Sequence, residues 1–152
     1  MPLMNILVWC SLVMVMSVGP LCLVEARDVA DLKQYQWKNR LLLLFSPSPE
    51  NPAYQAIVRQ LQEKASGVRE RDLLVFRVLE PGKSFMNSRE ISPAGAKALR
   101  QRFAIAPGTF TLVLVGKDGG VKLKRTDRVA LAEIFGLIDS MPMRQQEMQK
   151  QE

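Results

Sequence analysis

Residues 41–52 read Leu41-Leu42-Leu43-Leu44-Phe45-Ser46-Pro47-Ser48-Pro49-Glu50-Asn51-Pro52. Leu41–Phe45 is an unbroken apolar run, the pattern of a strand covered on both faces. The Ser/Pro stretch turns the chain, and Asn51-Pro52 opens a helix with a capping residue and a proline at the first helical position. A strand, a tight polar turn and a helix N-terminus in succession are where an α/β domain usually keeps its chemistry. Helical spacing continues through Tyr54, Ile57, Val58, Leu61 and Ala65, with Gly67 as the expected stop. Asp72 precedes a second strand, Leu73–Leu79, whose Val75, Phe76 and Val78 favour extended structure. Strand, helix and strand in this order imply parallel neighbours joined by a right-handed crossover.

The rest of the chain extends that unit. Glu80-Pro81-Gly82 is a turn, and Lys83–Ile91 reads as a polar loop. Ser92-Pro93 repeats the cap-plus-proline signal before a second helix, Ala94–Phe103, with Leu99 and Phe103 inward. Phe110–Val115 is a third strand, and Lys117-Asp118-Gly119-Gly120 is a hairpin turn leading into Val121–Lys124. The alternation of that last strand marks an edge with one wet face. Thr126-Asp127 is the expected cap of a final helix carrying Leu131, Ile134, Phe135 and Ile138, which Met141-Pro142 ends. Residues 143–152 are polar and Gln-rich and are expected to form a disordered tail. Upstream, Leu32, Tyr35 and Trp37 of Arg27–Asn39 are expected to lie on the core as a lid, with ligand stacking by Trp37 as the alternative.

Composition sets the limits. A chain of 152 residues, 47% hydrophobic and 24% charged, is sized for one domain around one core. It contains no histidine, which excludes a Ser-His-Asp triad, a Cys-His pair and an imidazole metal ligand. Met1–Val24 carries no charged side chain; Ile6–Val18 has the length of a signal-peptide core, and Val24-Glu25-Ala26 suits a signal peptidase. Residues 1–26 are therefore expected to be a signal peptide, although no Lys or Arg stands at its start. A retained N-terminal membrane anchor is the alternative. Cys10 and Cys22 both fall inside this segment, so the mature chain has no thiol. It has 21 basic against 14 acidic residues, a formal charge of +7. An exported, basic, cysteine-free protein, periplasmic or extracellular, is the expectation.

The element order β-α-β-α-β-β-α is that of a minimal thioredoxin-like α/β domain, here residues 27–142, with a mixed four-stranded sheet and helices on both faces. Phe45-Ser46-Pro47-Ser48-Pro49 is similar to the position where a thioredoxin has its aromatic-Cys-x-x-Cys turn. Lys38-Asn39-Arg40 with the leucine run, together with Asp139, Pro142, Arg144, Glu147 and Met148, resembles a family of small exported proteins, the P-DUDES group. These are bacterial relatives of a domain found in sushi-repeat and matrix-associated animal proteins. The resemblance spans roughly residues 27–148 and implies a thioredoxin-like fold in a domain of unknown function.

The departures from thioredoxin decide the chemistry. A dithiol site needs a thiolate depressed by the helix N-terminus and a resolving thiol beyond it. Ser46 and Pro49 stand in those places, and no histidine is present to activate the hydroxyl. The strand entrance where thioredoxins place a cis-proline has Thr109 and Thr111, with Pro107 the nearest proline. The helix N-terminus still suits an anion, with Ser46, Ser48 and Thr109 as hydroxyl donors and Arg40 or Arg77 as the cation. The alternative is a rigid turn with a capped helix. Lys117, Lys122, Lys124, Arg125 and Arg128 gather around the hairpin and could meet anionic glycan or headgroups, or simply form a solvated edge. Arg144 and Glu147 are expected to pair or cap locally, with a partner-binding role as the alternative.

Two functions follow. The preferred one is a redox-inactive binding module, without cofactor, for an anionic ligand or an envelope protein partner, its ligand residues being Arg40, Ser46, Ser48, Arg77, Thr109, Lys122, Lys124 and Arg125. The other is a redox accessory or anion-processing enzyme using Ser46 and Thr109. Nucleic acid is not the expected partner, since no nucleic-acid motif accompanies the basic residues.

Overall fold

A computed structural model describes residues 29–80 and 82–150. The expected signal peptide, with Cys10 and Cys22, lies outside the described residues. In chain order the elements are β1 (Arg40–Ser46), α1 (Pro52–Glu63), α2 (Ala65–Glu70), β2 (Leu73–Leu79), β3 (Ser84–Met86) and β4 (Arg89–Ile91). They continue with α3 (Pro93–Arg102), β5 (Thr111–Val115), β6 (Val121–Arg125), α4 (Leu131–Asp139) and α5 (Pro142–Gln149). A 3-10 helix, Leu32–Tyr35, precedes β1.

The strands form one mixed sheet in the order β4-β3-β2-β1-β5-β6. β1 runs parallel to β2, from Arg40↔Leu73 to Ser46↔Leu79, and antiparallel to β5. The leucine run is explained by its central place. Leu42 and Leu44 face one core with Tyr54, Ile57 and Leu61 of α1 and Leu131, Ile134 and Ile138 of α4. Leu41, Leu43 and Phe45 face the other, with Leu32, Ala96 and Leu99. Every side chain of β1 is thus buried, each leucine contributing roughly 1.5–3 kcal/mol.

The sheet has six strands where the sequence implies four. The core four, β2-β1-β5-β6, are the thioredoxin-like set, and the additional pair arises from residues 83–91, read as a polar loop. Three-residue strands carry too short a pattern to register. Their turn is pinned by Asn87, at φ +52°, whose N–H donates to Val75 O while its Oδ1 accepts from Val75 N. Gly67 also differs from expectation: it does not stop the helix but lies within α2. A Cβ there would stand 2.8 Å from Phe135 Cε2, so the glycine serves close packing of α2 on α4.

The helix expected directly after Thr126-Asp127, α4, begins instead at Leu131. Asp127 is engaged instead by Arg125, and the Leu131 amide is capped from α1 by Gln60 Oε1 at 2.9 Å. The tail is a further correction. Residues 142–149 form α5, whose Arg144 is only 1% exposed, because its guanidinium is anchored to Glu70. The lid is as read for Leu32 and Tyr35, the latter edge-on to Phe76, while Trp37 stands 63% exposed at φ +65°. Among the described residues no helix is long and apolar enough to cross a membrane.

Candidate functional site

The strand–helix corner is built as the sequence orders it. Ser46 ends β1, 1% exposed, and its Oγ donates to Ser48 O at 2.7 Å. Ser48 Oγ accepts from Glu50 N, and Asn51 Oδ1 caps α1 by accepting from Ala53 N and Tyr54 N at 3.0 and 3.1 Å. Gln55 N reaches Asn51 O, so the first-turn amides of α1 all have partners within the chain. The half-buried Thr109 lies at the entrance to β5, beside Gly108, whose amide donates to both Glu80 oxygens at 3.0 and 3.2 Å. No cis peptide bond occurs among the described residues. As arranged, the corner is a closed hydrogen-bonded turn.

Arg40 is not at this corner. It starts β1, six residues from Ser46, about 20 Å away along an extended strand. There it is 1% exposed and holds Glu147 of α5 with both terminal nitrogens, Nη1 to Oε2 at 3.1 Å and Nη2 to Oε1 at 3.3 Å. Nη1 also donates to Arg71 O. Lys117 reaches the same carboxylate at 2.6 Å and Asp72 at 2.8 Å. Arg71 meets Asp139 at 2.6 Å, and Arg144 meets Glu70 at 2.6 Å and Asp139 at 3.4 Å. Arg144 stands 3.8 Å from Glu147, the local pair the sequence suggests. Four cations and four carboxylates thus lock α5 under the N-terminal end of the sheet. Burial works to raise the Glu147 carboxyl, but its hydrogen bonds to Lys117 and Arg40 outweigh that and hold it below its ordinary value.

The remaining candidates fall in two places. Lys122 Nζ pairs with Asp118 at 2.6 Å, Lys124 Nζ donates to Phe103 O, and Arg125 pairs with Asp127 and Glu133. That hydrogen bond from Arg125 holds the Asp127 carboxyl at about 2. Arg40, Lys117 and Lys122 come together on the wall of a cavity of ≈ 210 Å³ whose apolar side is Leu137, Met141, Pro142 and Met143. Arg77 stands apart on β2. Its Nη2 donates to Asn87 O at 2.9 Å, and its guanidinium lies 5.4 Å from the Phe85 ring centroid. Burial raises the Tyr54 phenol, and the charge and hydrogen bond of Arg77 partly offset the rise.

The structure therefore brings Arg40 and Lys122 together, and Ser46 with Ser48, but not these groups with Arg77. Sequence reasoning missed the roles of Glu70, Arg71 and Asp72. Its only signal was the pair of motifs around Arg40 and Glu147, whose contact spans 107 residues.

Comparison with known proteins gives the wider setting. Residues 31–147 match a family model described as "Domain of unknown function (DUF4174)". The chain is 32% identical to coiled-coil domain-containing protein 80 of Danio rerio, covering 77% of this chain and 15% of that protein. It is 30% identical to the sushi repeat-containing protein SRPX of Homo sapiens, covering 77% of this chain and 26% of that one. The match thus spans about a quarter or less of these relatives. Among solved structures, the reduced 2-Cys peroxiredoxin of Plasmodium vivax superposes with a TM-score of 0.57 at 14% identity, over 76% of this chain and 72% of that one. Thioredoxin peroxidase I of Plasmodium yoelii gives 0.56 at 19% identity, over 76% and 79%. At such identities the likeness is one of fold.

Proposed function

Since the chain belongs to the DUF4174 family, sharing its domain with the sushi-repeat protein SRPX, we propose that it is a non-catalytic recognition module on a thioredoxin-like frame. In this reading the protein is exported, to a periplasmic or extracellular space, and holds an anionic ligand or the anionic face of an envelope partner. One observation carries the proposal: the corner where a thioredoxin keeps its thiols has Ser46 bonded inward to Ser48 O, and residues 27–152 contain neither Cys nor His. A serine hydroxyl without a base is a poor nucleophile and has no redox chemistry.

The cations supply the affinity. Lys122, Lys124 and Arg125 lie along the edge strand β6 and meet the ligand directly, while Arg40 and Lys117, nearly buried and held by Glu147, back the cavity at its foot and add charge rather than contact. Arg77 meets ligand in its own place on β2, while Ser46, Ser48 and Thr109 shape the corner. A formal charge of +7 on residues 27–152 would draw anions to this surface.

Chromatography of the purified protein on immobilised heparin tests the reading. Retention that weakens with salt and falls on Lys122→Gln/Lys124→Gln substitution is the expected result. Retention equal to that of a size-matched acidic protein, or acceleration of insulin reduction by dithiothreitol, would overturn it.

A further inference from the structure

Along β2, the sheet face that carries α1 and α2 opens into a cavity of ≈ 390 Å³, within the size range of small-molecule sites. Val58 and Leu61 of α1, Ala65 and Val68 of α2, and Val75 of β2 give it apolar walls. Arg77 and Arg69 also line it. Arg77 is half-buried; its guanidinium donates to Asn87 O, lies 5.4 Å from the Phe85 ring centroid and hydrogen-bonds the neutral Tyr54 phenol.

The charge here is not balanced by the protein. Lys83, Lys122 and Arg125, by contrast, each have an acid beside them, Glu90, Asp118 and Asp127 respectively. Among the described residues no carboxylate forms an ion pair with Arg77 or Arg69. A fixed, partly desolvated guanidinium at the end of an apolar slot complements a ligand of the opposite build, one oxyanion on an apolar body. We propose that this slot binds an apolar carboxylate, its oxygens on Arg77 and its hydrocarbon against Val58, Leu61 and Val75. The inference rests on the reading that the domain recognises anions without transforming them, and it narrows that reading for Arg77. Arg69, exposed on α2, adds long-range attraction.

The test is titration of the purified protein with decanoate, followed by amide chemical shifts, with decanol as the control for hydrocarbon alone and acetate as the control for charge alone. Decanoate should bind, shifting residues of α1, α2 and β2, and both controls should bind more weakly. Arg77→Gln should weaken decanoate roughly tenfold or more, as expected when a charged hydrogen-bond partner is lost. Ala65→Phe, which fills the slot from α2 without touching a charge, should weaken it comparably, and circular dichroism establishes that both variants fold. Decanoate bound no better than decanol or acetate, or bound equally by both folded variants, overturns the slot. Heparin retention reads the general proposal separately, because neither variant alters Lys122 or Lys124.

Discussion

Glu147→Gln removes one negative charge while keeping the size of the side chain, and it strikes the centre of the ion network. Arg40, 1% exposed, loses the carboxylate reached by both its terminal nitrogens, and Lys117 loses its 2.6 Å partner. Two cations are then left sharing one site, with the half-exposed Asp72 still on Lys117. Removing one partner of a buried ion pair costs roughly 3–5 kcal/mol. Glu147 is 24% exposed, so water screens part of the loss and about 2–4 kcal/mol is expected. For a domain of this size that lowers Tm by roughly 8–16 °C. The pH dependence has a definite sign. Glu147 titrates below its ordinary value when folded, so its contribution is present above the usual carboxylate range and is lost as pH falls through the folded value. Thermal unfolding by circular dichroism should show the full gap between parent and variant at pH 7, and the gap should close as pH falls below the ordinary carboxylate range. A neutral-pH gap under about 2 °C, less than 1 kcal/mol for this size, or a gap that persists unchanged into acid, would refute the reasoning.

Two further substitutions probe the packing. Gly67→Ala should destabilise by about 1–3 kcal/mol despite the better helix propensity of alanine, because its methyl meets Phe135, and Phe135→Leu should restore much of the loss in the same melt. Asn51→Ala removes the acceptor for two amides of α1 and should cost about 1 kcal/mol by urea titration, with no change in heparin retention.

How far the sequence could be read depended on the range of each interaction. The leucine run, Asn51-Pro52 and β2 rest on local pattern, and the structure has them with bounds shifted by a residue or none. The β3–β4 hairpin was hidden because three-residue strands barely alternate, and its order comes from Asn87 bonding back to Val75. The tail looked disordered because α5 is polar. It is held by ion pairs of Arg144 and Glu147 with Glu70, Arg40 and Lys117, and charge pairing across such separations leaves no periodic trace. Arg40 begins β1 and Ser46 ends it, and a strand carries its two ends apart, so the arginine cannot serve the corner. Gly67 looked like a helix stop because a glycine's packing role depends on a partner 68 residues away, Phe135.

The central claim is that cations on the surface recognise an anion while the Ser46 corner only holds the chain. The salt dependence of affinity for a heparin oligosaccharide measures this directly, compared among the purified protein, Ser46→Ala and Lys122→Gln/Lys124→Gln. The account expects Ser46→Ala to bind with the parent's slope of log affinity against log salt, and the double variant to lose about two units of that slope as two counterion-releasing contacts disappear. Binding abolished by Ser46→Ala, with the double variant indistinguishable from the parent, would contradict it.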